Sequence, residues 1–470
     1  MSVNATKATE WTLSNSSLTV KFDDLSNQLS VLDKRCGKTW SQHPVSGAAL
    51  TANTVVQNGD SLQIQFNGTS GLSASLILSG NSSLEVILSG PVSSTFSETS
   101  FPGALFAENK EHYLVATDGE GLLVRVDDTE YPLGRDTKPY CVVRGQLMSW
   151  YGVVDIACKT GYMIILETPD DALFNTYREN GMAGFEPYWL PQMGKFGYER
   201  KAVYHFFDEG GYVAQCKKYK DYIYPKNEVL TLRENQQRIP SIDKMVGGVH
   251  IYVWDNAREV EFAQHLKDIG VDKAFFLWDP NHFPYPVDGY DNYLIEMGFA
   301  SGVYDLFRDI HANEATYYKI EKDPGKKYLA RWQHPGEYPA ITLKNSLGGI
   351  ASNQFGNVVC PIPAIECVKK RVPFENAIYP HESHFLDVYL SDGLYECYDP
   401  IHPATRTQYK EAVVKIYDLF TDTYHKFCGG EWGRNIRIIR LTDKHPKNEI
   451  RAGIWRFQTE HVFLHILLQG

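Results

Sequence analysis

The hydrophobic pattern of the chain changes near residue 208, and this change constrains the fold more than any other feature of the sequence. Before it, short runs such as SLTVKFDD, SLQIQFNG and SLEVILSG alternate apolar and polar residues between turns rich in Ser, Gly and Asn. A period of two is typical of half-buried antiparallel strands. Residues 1–208 are therefore predicted to form a large β-sandwich.

After residue 208 the pattern becomes helical and then mixed. The run GYVAQCKKYKDYIYP has helical spacing, and we expect a helical linker over residues 209–243. Strand-like runs (GGVHIYVWD, KAFFLWDP, GFASGVYDLF, SHFLDVYL and FCGGEWG) then alternate with helical patterns from 244 to 470. This order predicts parallel strands, in an open α/β sheet or a (β/α) TIM-like barrel. The expected fold is multidomain, combining β and α/β parts.

The length of the second part bears on whether a barrel is complete. An eight-unit barrel needs about 250 residues, and residues 245–470 are fewer than that, with some of them in long loops. Only about five strands can be placed. We therefore expect a barrel that is incomplete at its C-terminal end, either truncated or altered in its closing stretch.

Charge and apolar content exclude several classes of partner. The chain of 470 residues has 46 Lys and Arg against 57 Asp and Glu, a formal charge of −11, so nucleic acid is not an expected partner. No apolar run approaches the ~20 residues that cross a bilayer. The N-terminus MSVNATKATEWTLSNSS lacks the apolar core of a signal peptide, which predicts a cytoplasmic protein. Four Asn-x-Ser/Thr sequons keep secretion as the alternative.

Aromatic and acidic residues follow the apolar runs of three predicted strands, where a barrel has its active face. Carboxylates accept hydrogen bonds from sugar hydroxyls, and aromatic rings cover the apolar faces of a pyranose. The alternative is that each Asp merely caps the next helix. The candidate sugar-binding residues at these strand ends are Trp254, Trp278, Asp279, Tyr304 and Asp305.

The strand SHFLDVYL contains a carboxylate where an apolar residue is expected. Alternation places Phe385, Asp387 and Tyr389 on one face and His384 on the other. A buried carboxylate is costly without a partner, so Asp387 needs either a paired cation or a function.

A second acid follows on the next predicted strand. A helix near 405–425 returns the chain to FCGGEWG, and strands joined by one crossover are usually neighbours, about 4.8 Å apart. Asp387 and Glu431 would then approach the ~5–5.5 Å carboxyl separation of retaining glycosidases. Trp432 could raise the pKa of a carboxyl by supplying an apolar wall. Alternatively, the two acids pair with Arg406 or Arg434.

The order of these motifs resembles glycoside hydrolase family 129, α-N-acetylgalactosaminidases related to the family 101 endo-enzymes. The resemblance covers residues from about 100 to 435 and rests on KKYKDY, GGVHIYVWD, HFLDV, ECYDPIHPATR and GGEWG. It implies that the enzyme cleaves GalNAc α-linked to Ser or Thr in mucin-type glycans, with retention of configuration.

The resemblance also implies roles for single residues. Asp387 matches the nucleophile of the family, and Glu431 matches its general acid/base. Arg406, His402 and Asp279 resemble positions of the substrate pocket. For Arg406, a structural pairing with an acid of the ECYDP run is an equal alternative.

The sequence assigns no metal ligands and calls for no organic cofactor. Acidic loops make calcium possible, but EF-hand spacing and His/Cys ligand clusters are absent from the sequence pattern. His384 and His402 are interpreted as pocket or core residues. The expected function is a retaining α-N-acetylgalactosaminidase acting on glycans or glycopeptides. The alternatives are another retaining α-glycosidase, such as an α-galactosidase, and a catalytically inactive carbohydrate-binding protein.

Overall fold

The structure is a computed structural model. It describes residues 9–42, 50–69, 71–107, 111–117, 121–130, 134–136, 138–139, 148–179, 182–226, 232–253, 259–278, 287, 289–310, 338–352, 356–377 and 379–430. The chain divides into two compact units, the first ending at Pro225 among the described residues and the second beginning at Lys226.

The first unit is built from short strands. They are β1 (Glu10–Ser14), β2 (Leu18–Asp23), β3 (Gln28–Asp33), β4 (Lys38–Ser41), β5 (Ala52–Asn58), β6 (Ser61–Phe66), β7 (Ser73–Ser79), β8 (Ser83–Ser89), β9 (Thr99–Ser100), β10 (Leu105–Ala107), β11 (His112–Ala116), β12 (Leu122–Arg125), β13 (Gly134–Arg135), β14 (Trp150–Asp155), β15 (Gly161–Leu166), β16 (Ala172–Glu179), β17 (Met182–Trp189) and β18 (Arg200–Phe207).

These strands form three antiparallel sheets. The largest has nine strands in the order β12-β11-β14-β15-β18-β8-β7-β6-β5, and the others have four and five strands. One apolar core draws on all three sheets, with Val20, Val86 and Phe185 among its members. Alternate residues of β6 and β8 point into this core, as a period of two requires. The predicted antiparallel β structure before residue 208 is confirmed.

Helix α1 (Gly211–Ile223) packs against the largest sheet of the first unit. Gln215 donates hydrogen bonds from its side-chain amide to the carbonyls of Val153 (2.9 Å) and Tyr162 (3.1 Å). A side chain at Gly152 would lie 2.6 Å from Gln215 Oε1, so this close approach requires glycine. The segment predicted as a linker over 209–243 therefore begins with a helix that belongs to the first unit, because its buried face is already covered by the sheet.

The second unit alternates strands with helices. Its elements are α2 (Leu232–Arg238), α3 (Ile242–Met245), β19 (Val249–Val253), α4 (Val260–Asp268), β20 (Ala274–Trp278), α5 (Tyr290–Glu296), β21 (Ala300–Asp305), β22 (Asp309–Ile310), β23 (Asn357–Val358), α6 (Pro361–Asn376), β24 (Ser383–Leu386), α7 (Arg406–Asp418) and β25 (Phe427–Gly430). Among the helices described in both units, none combines the length and apolarity needed to span a bilayer.

Five strands of the second unit form a parallel sheet in the order β19-β20-β21-β24-β25. The strand-helix alternation of the sequence predicted parallel strands, and this prediction is confirmed. β22 and β23 form a separate small antiparallel pair. The residues described show a five-stranded sheet, and the predicted barrel goes beyond that observation.

The two faces of the parallel sheet are covered by different elements. On one face, Phe275, Leu277 and Phe385 pack with residues of α2 and α3; we call this the inner face. On the other, Phe276 and Trp278 pack with residues of α4 and α5; we call this the outer face. Strand residues are apolar on both sides because both sides are covered, as in most parallel sheets.

Candidate active site

The candidate nucleophile lies at the C-terminal end of β24. Asp387 directly follows Leu386, the last residue of that strand, and its side chain is half-buried. Its backbone N–H donates to the carbonyl of Asp305 at 2.8 Å, which joins the ends of β21 and β24. The position therefore combines partial solvent access with a fixed backbone, which a reacting carboxylate requires.

The chain turns sharply just after Asp387. Val388 has a φ of +67°, a left-handed conformation that is a genuine outlier for a β-branched residue. The N–H of Tyr389 reaches back to the carbonyl of Asp387 at 2.8 Å and closes a three-residue turn around Val388. Strained backbone of this kind clusters at functional sites.

The turn changes the predicted face pattern of this segment. The strand ends at Leu386, so Tyr389 does not share a strand face with Phe385 and Asp387. Tyr389 is buried instead, and its hydroxyl donates to the carbonyl of Phe307 at 3.2 Å. The alternating pattern predicted a strand through Tyr389, and this was wrong because Val388 adopts a left-handed conformation that turns the chain out of the strand.

Aromatic rings lie on the inner face around Phe385, two residues before Asp387 in the sequence. Tyr304 stacks on Phe385 with ring centroids 4.9 Å apart and an interplanar angle of 18°. Tyr252 meets Phe385 edge-on at 6.0 Å. Tyr304 is half-buried and Tyr252 is 44% exposed, so both rings have exposed surface on the inner face, the face on which alternation from Phe385 would place Asp387. Tyr304 was predicted, whereas Tyr252 was missed, although alternation in GGVHIYVWD places it on the same strand face as Trp254.

Asp305 and His384 lie on the outer face, in a buried charge network. Asp305 accepts from the guanidinium of Arg371 on α6, and Arg371 also pairs with Glu375 at 3.0 Å. His384 Nε2 is 3.7 Å from Glu375 and 3.9 Å from Asp305. Burial, with the nearby charge of Lys426, lowers the pKa of His384 well below its usual value, so the ring is neutral.

This placement corrects two predicted sugar-binding residues. Asp305 is 3% exposed and His384 is fully buried, so neither side chain is open to a sugar at the end of the sheet. The reason is their strand parity: Asp305 pairs with Leu386 in the register, one position away from the inner-face pair Tyr304 and Phe385. Asp305 and His384 therefore belong to the buried charge network on the outer face.

Trp278 is also a core residue rather than a sugar platform. Its ring is fully buried on the outer face, where it meets Tyr290 and Tyr379 edge-on. The indole N–H donates to Ser301 Oγ at 3.0 Å and lies 3.3 Å from Asp291 Oδ1. A buried tryptophan needs such a partner for its N–H, and these partners come from elements distant in sequence.

The HPATR run also has a structural role. Arg406, the first residue of α7, pairs with Glu396 at 3.2 Å, and so the pairing alternative for this residue is confirmed. Thr405 caps α7 in a reciprocal capping box with Gln408. His402 is 7% exposed and lies beside Cys397.

His402 belongs to a buried cluster with two cysteines. Its Nδ1 lies 3.4 Å from Cys397 Sγ, and its Nε2 lies 2.8 Å from the carbonyl of Ala340. Cys360 is the third member, and the ligand-capable atoms of the three side chains all lie within 4.8 Å of one another. A hydrogen bond from the Cys360 thiol lowers the pKa of Cys397. The sequence pattern gave no sign of this cluster, because Cys360 is distant in sequence from the other two.

The strand that follows α7 is the neighbour of β24. Leu386 lies opposite Gly430 in the parallel register of β24 and β25, as the single-crossover prediction required. A Cβ at Gly430 would lie 2.7 Å from Tyr417 Oη and 2.9 Å from the carbonyl oxygen of Leu386. Glycine is therefore needed at this position, where β25 approaches β24 and Tyr417 closely.

Four predicted site residues lie outside the described part of the chain: Trp254, Asp279, Glu431 and Trp432. Glu431 immediately follows Gly430 in the sequence, just as Asp387 immediately follows Leu386. The assignments of these four residues stay predictions.

Comparison with known proteins gives a fold relationship. No protein-family model and no curated protein sequence matches the chain. The fold is similar to solved structures of the α-N-acetylgalactosaminidase NagBb from Bifidobacterium bifidum. The GalNAc complex has a TM-score of 0.72 and 17% identity, covering 90% of this chain and 77% of that one. The ligand-free form has a TM-score of 0.70 and 16% identity, with the same coverage. The chain therefore has the fold of a glycoside hydrolase.

Proposed function

We propose that this chain is a retaining α-N-acetylgalactosaminidase of glycoside hydrolase family 129, which releases GalNAc α-linked to Ser or Thr in mucin-type O-glycans or glycopeptides. The observation that carries the proposal is the register of β24 and β25, in which Leu386 lies opposite Gly430. Each of these residues is followed in the sequence by an acid, Asp387 or Glu431. The fold shared with NagBb in its GalNAc complex supports the choice of sugar.

The proposed mechanism is a double displacement. The carboxylate of Asp387 attacks the anomeric carbon and forms a covalent glycosyl-enzyme, while Glu431 protonates the departing glycosidic oxygen. Glu431 then takes a proton from water, which attacks the same carbon and releases the sugar with its original configuration. The strained turn at Val388 would hold Asp387 in a fixed position for the attack.

The aromatic rings of the inner face are proposed to bind the sugar. Tyr304 and Tyr252 have partly exposed rings on the inner face, the face on which alternation from Phe385 would place Asp387. Such rings suit the apolar side of a pyranose. Trp254, Asp279 and Trp432 are proposed to complete the pocket.

Substitution of the two acids tests the mechanism. We expect Asp387→Ala to lower turnover of nitrophenyl α-GalNAc by at least about 10³-fold without unfolding the protein, since the nucleophile is lost. Glu431→Ala should be partly rescued by azide or by a substrate with an activated leaving group. Asp268→Asn, an exposed acid of the same unit, is the control and should keep full activity. Unchanged rates in either acid variant would contradict the assignment.

Substrate choice and stereochemistry test the rest of the proposal. Hydrolysis of nitrophenyl α-GalNAc is expected to exceed that of nitrophenyl α-Gal, and proton NMR of the first product formed should show the α-anomer. Faster cleavage of the galactoside would favour an α-galactosidase. Glycan binding by calorimetry without any turnover would favour an inactive carbohydrate-binding protein.

A further inference from the structure

The buried cluster of Cys360, Cys397 and His402 joins two parts of the second unit. Cys360 immediately precedes helix α6, and its Sγ faces the loop that leads into α7. Cys397 and His402 belong to that loop, which an antiparallel bridge between Cys397 and Ala404 closes. All three side chains are buried. The arrangement therefore places two sulfur atoms and one imidazole nitrogen together in a site shielded from solvent.

The imidazole of His402 is oriented as a ligand would be. Its Nε2 donates to the carbonyl of Ala340 at 2.8 Å, which fixes the proton on that nitrogen. The lone pair of Nδ1 then points toward Cys397 Sγ at 3.4 Å. A carbonyl that accepts from the far nitrogen is the usual outer-sphere support of a metal-binding histidine.

The donor set and its spacing fit a zinc-type ion. With Zn–S bonds of about 2.3 Å and Zn–N bonds of about 2.0–2.1 Å, ligand atoms on a tetrahedral ion are separated by roughly 3.5–3.8 Å. The observed 3.4 Å is close to that range, and two thiolates with one imidazole form a soft donor set. Calcium prefers oxygen ligands, and so the set does not suit it.

We propose that Cys360, Cys397 and His402 bind a zinc-type divalent cation that fixes the loop before α7 to the start of α6. The three residues supply three of the four ligands of a tetrahedral ion. The bound ion would hold both helices that flank β24. Its proposed role is to stabilise this part of the fold, and the sugar chemistry proposed above does not require it.

Cobalt substitution and metal analysis test this site on the full-length chain. We expect the purified protein to contain about one equivalent of zinc. After removal of the metal, added Co²⁺ should give thiolate-to-cobalt charge-transfer absorption with the intense visible bands of a tetrahedral site. Neither readout depends on glycosidase activity, so failure of the site and failure of the proposed hydrolase function can be distinguished.

Variants identify the ligands. Cys397→Ser and His402→Gln should lower zinc affinity by at least about tenfold. Cys367→Ser is the matched control. Cys367 is a buried cysteine within α6, and its Sγ donates to the Pro363 carbonyl at 3.7 Å. If a ligand variant fails to fold, the cobalt spectrum of the unsubstituted protein decides. A Cys360–Cys397 disulfide, the absence of charge-transfer absorption, or an equal loss in Cys367→Ser would overturn the proposal.

Discussion

At the scale of single residues, burial distinguishes the two acids at the ends of β21 and β24. Asp305 is the last residue of β21, and Asp387 directly follows the last residue of β24. A backbone hydrogen bond connects the two residues. Asp305 is buried against Arg371, whereas Asp387 is half-buried. Similar sequence contexts thus lead to a buried, ion-paired acid in one strand and a half-buried acid, the proposed nucleophile, after the other.

Breaking the buried pair should destabilise the protein strongly. We expect Asp305→Leu to lower the free energy of unfolding by about 3–5 kcal/mol, because Arg371 keeps its charge while losing a buried partner. The double variant Asp305→Leu/Arg371→Met should recover much of that loss. Urea denaturation measures both. A double variant less stable than the single one would contradict this explanation.

Sequence patterns placed Asp387 at the end of a strand, as the structure has it, but misplaced the side chains of Asp305 and Trp278. The alternation in HFLDV was enough to mark a carboxylate at an apolar position. For Asp305 and Trp278, the decisive facts are the partners, Arg371 and Ser301, which come from other elements. A single strand pattern contains no information about side chains that tertiary packing brings from elsewhere.

At the scale of elements, the contact between β24 and β25 depends on one glycine. Gly430→Ala would place a Cβ within 2.9 Å of the carbonyl oxygen of Leu386, and backbone cannot move aside cheaply. We expect a loss of about 1–3 kcal/mol in stability and lower turnover, since β25 must shift relative to β24. Thermal unfolding and nitrophenyl α-GalNAc hydrolysis measure the two effects.

A second variant separates the two close contacts at Gly430. Tyr417→Phe combined with Gly430→Ala removes the hydroxyl that lies 2.7 Å from the new Cβ, but the Leu386 carbonyl stays. We expect this double variant to recover part of the stability that Gly430→Ala loses. Full stability in the Gly430→Ala variant alone would show that the strands tolerate a wider separation.

Helix and strand positions were predicted better than their ends. β19, β20, β21, β24 and β25 all fall within the predicted strand-like runs. The strand at Asp387 is shorter than its run because Val388 adopts a left-handed conformation, which residue type does not favour. The helix predicted near 405–425 begins at Arg406 and continues past Asp418 as a π-helical turn to Thr423.

At the scale of the whole molecule, each unit contains a histidine that burial keeps neutral. In the first unit, burial and then the charge of Lys38 lower the pKa of His112 to about 4, against the attraction of Asp155. In the second unit, burial lowers the pKa of His384. A folded pKa below the unfolded value means that the unfolded chain binds more protons in this window.

Mild acid should therefore destabilise both units. Stability is retained above the unfolded histidine pKa of about 6.5 and is lost as the pH falls toward 4, with about 2 kcal/mol lost at pH 5 for His112. Urea unfolding at pH 7 and pH 5 measures the change. His112→Gln should reduce the pH dependence of the first unit, as followed by hydrogen exchange in β14 and β15, and His205, whose pKa burial lowers to about 3, should account for the remainder. An unchanged pH slope in that variant would contradict the assignment.

The division into units was predicted only in part. The change of pattern near residue 208 marks the last strand of the first unit, Arg200–Phe207. The boundary itself lies after Pro225, since α1 packs on the largest sheet. A helical pattern predicts that a helix forms, but it does not predict where the helix packs. Gly152 and Gly161 leave room for Gln215 of α1, and this need for glycine is visible only once the helix lies on the sheet.

Two neighbouring strands of the parallel sheet, β21 and β24, are far apart in the sequence. After β21 the chain leaves the sheet, forms β22, β23 and α6, and returns as β24 beside the strand it left. The sheet fixes only the two ends of this excursion, so its length is not constrained by strand pairing. Insertions or deletions between β21 and β24 would therefore leave the pairing of these two strands unchanged, and with it the backbone position of Asp387.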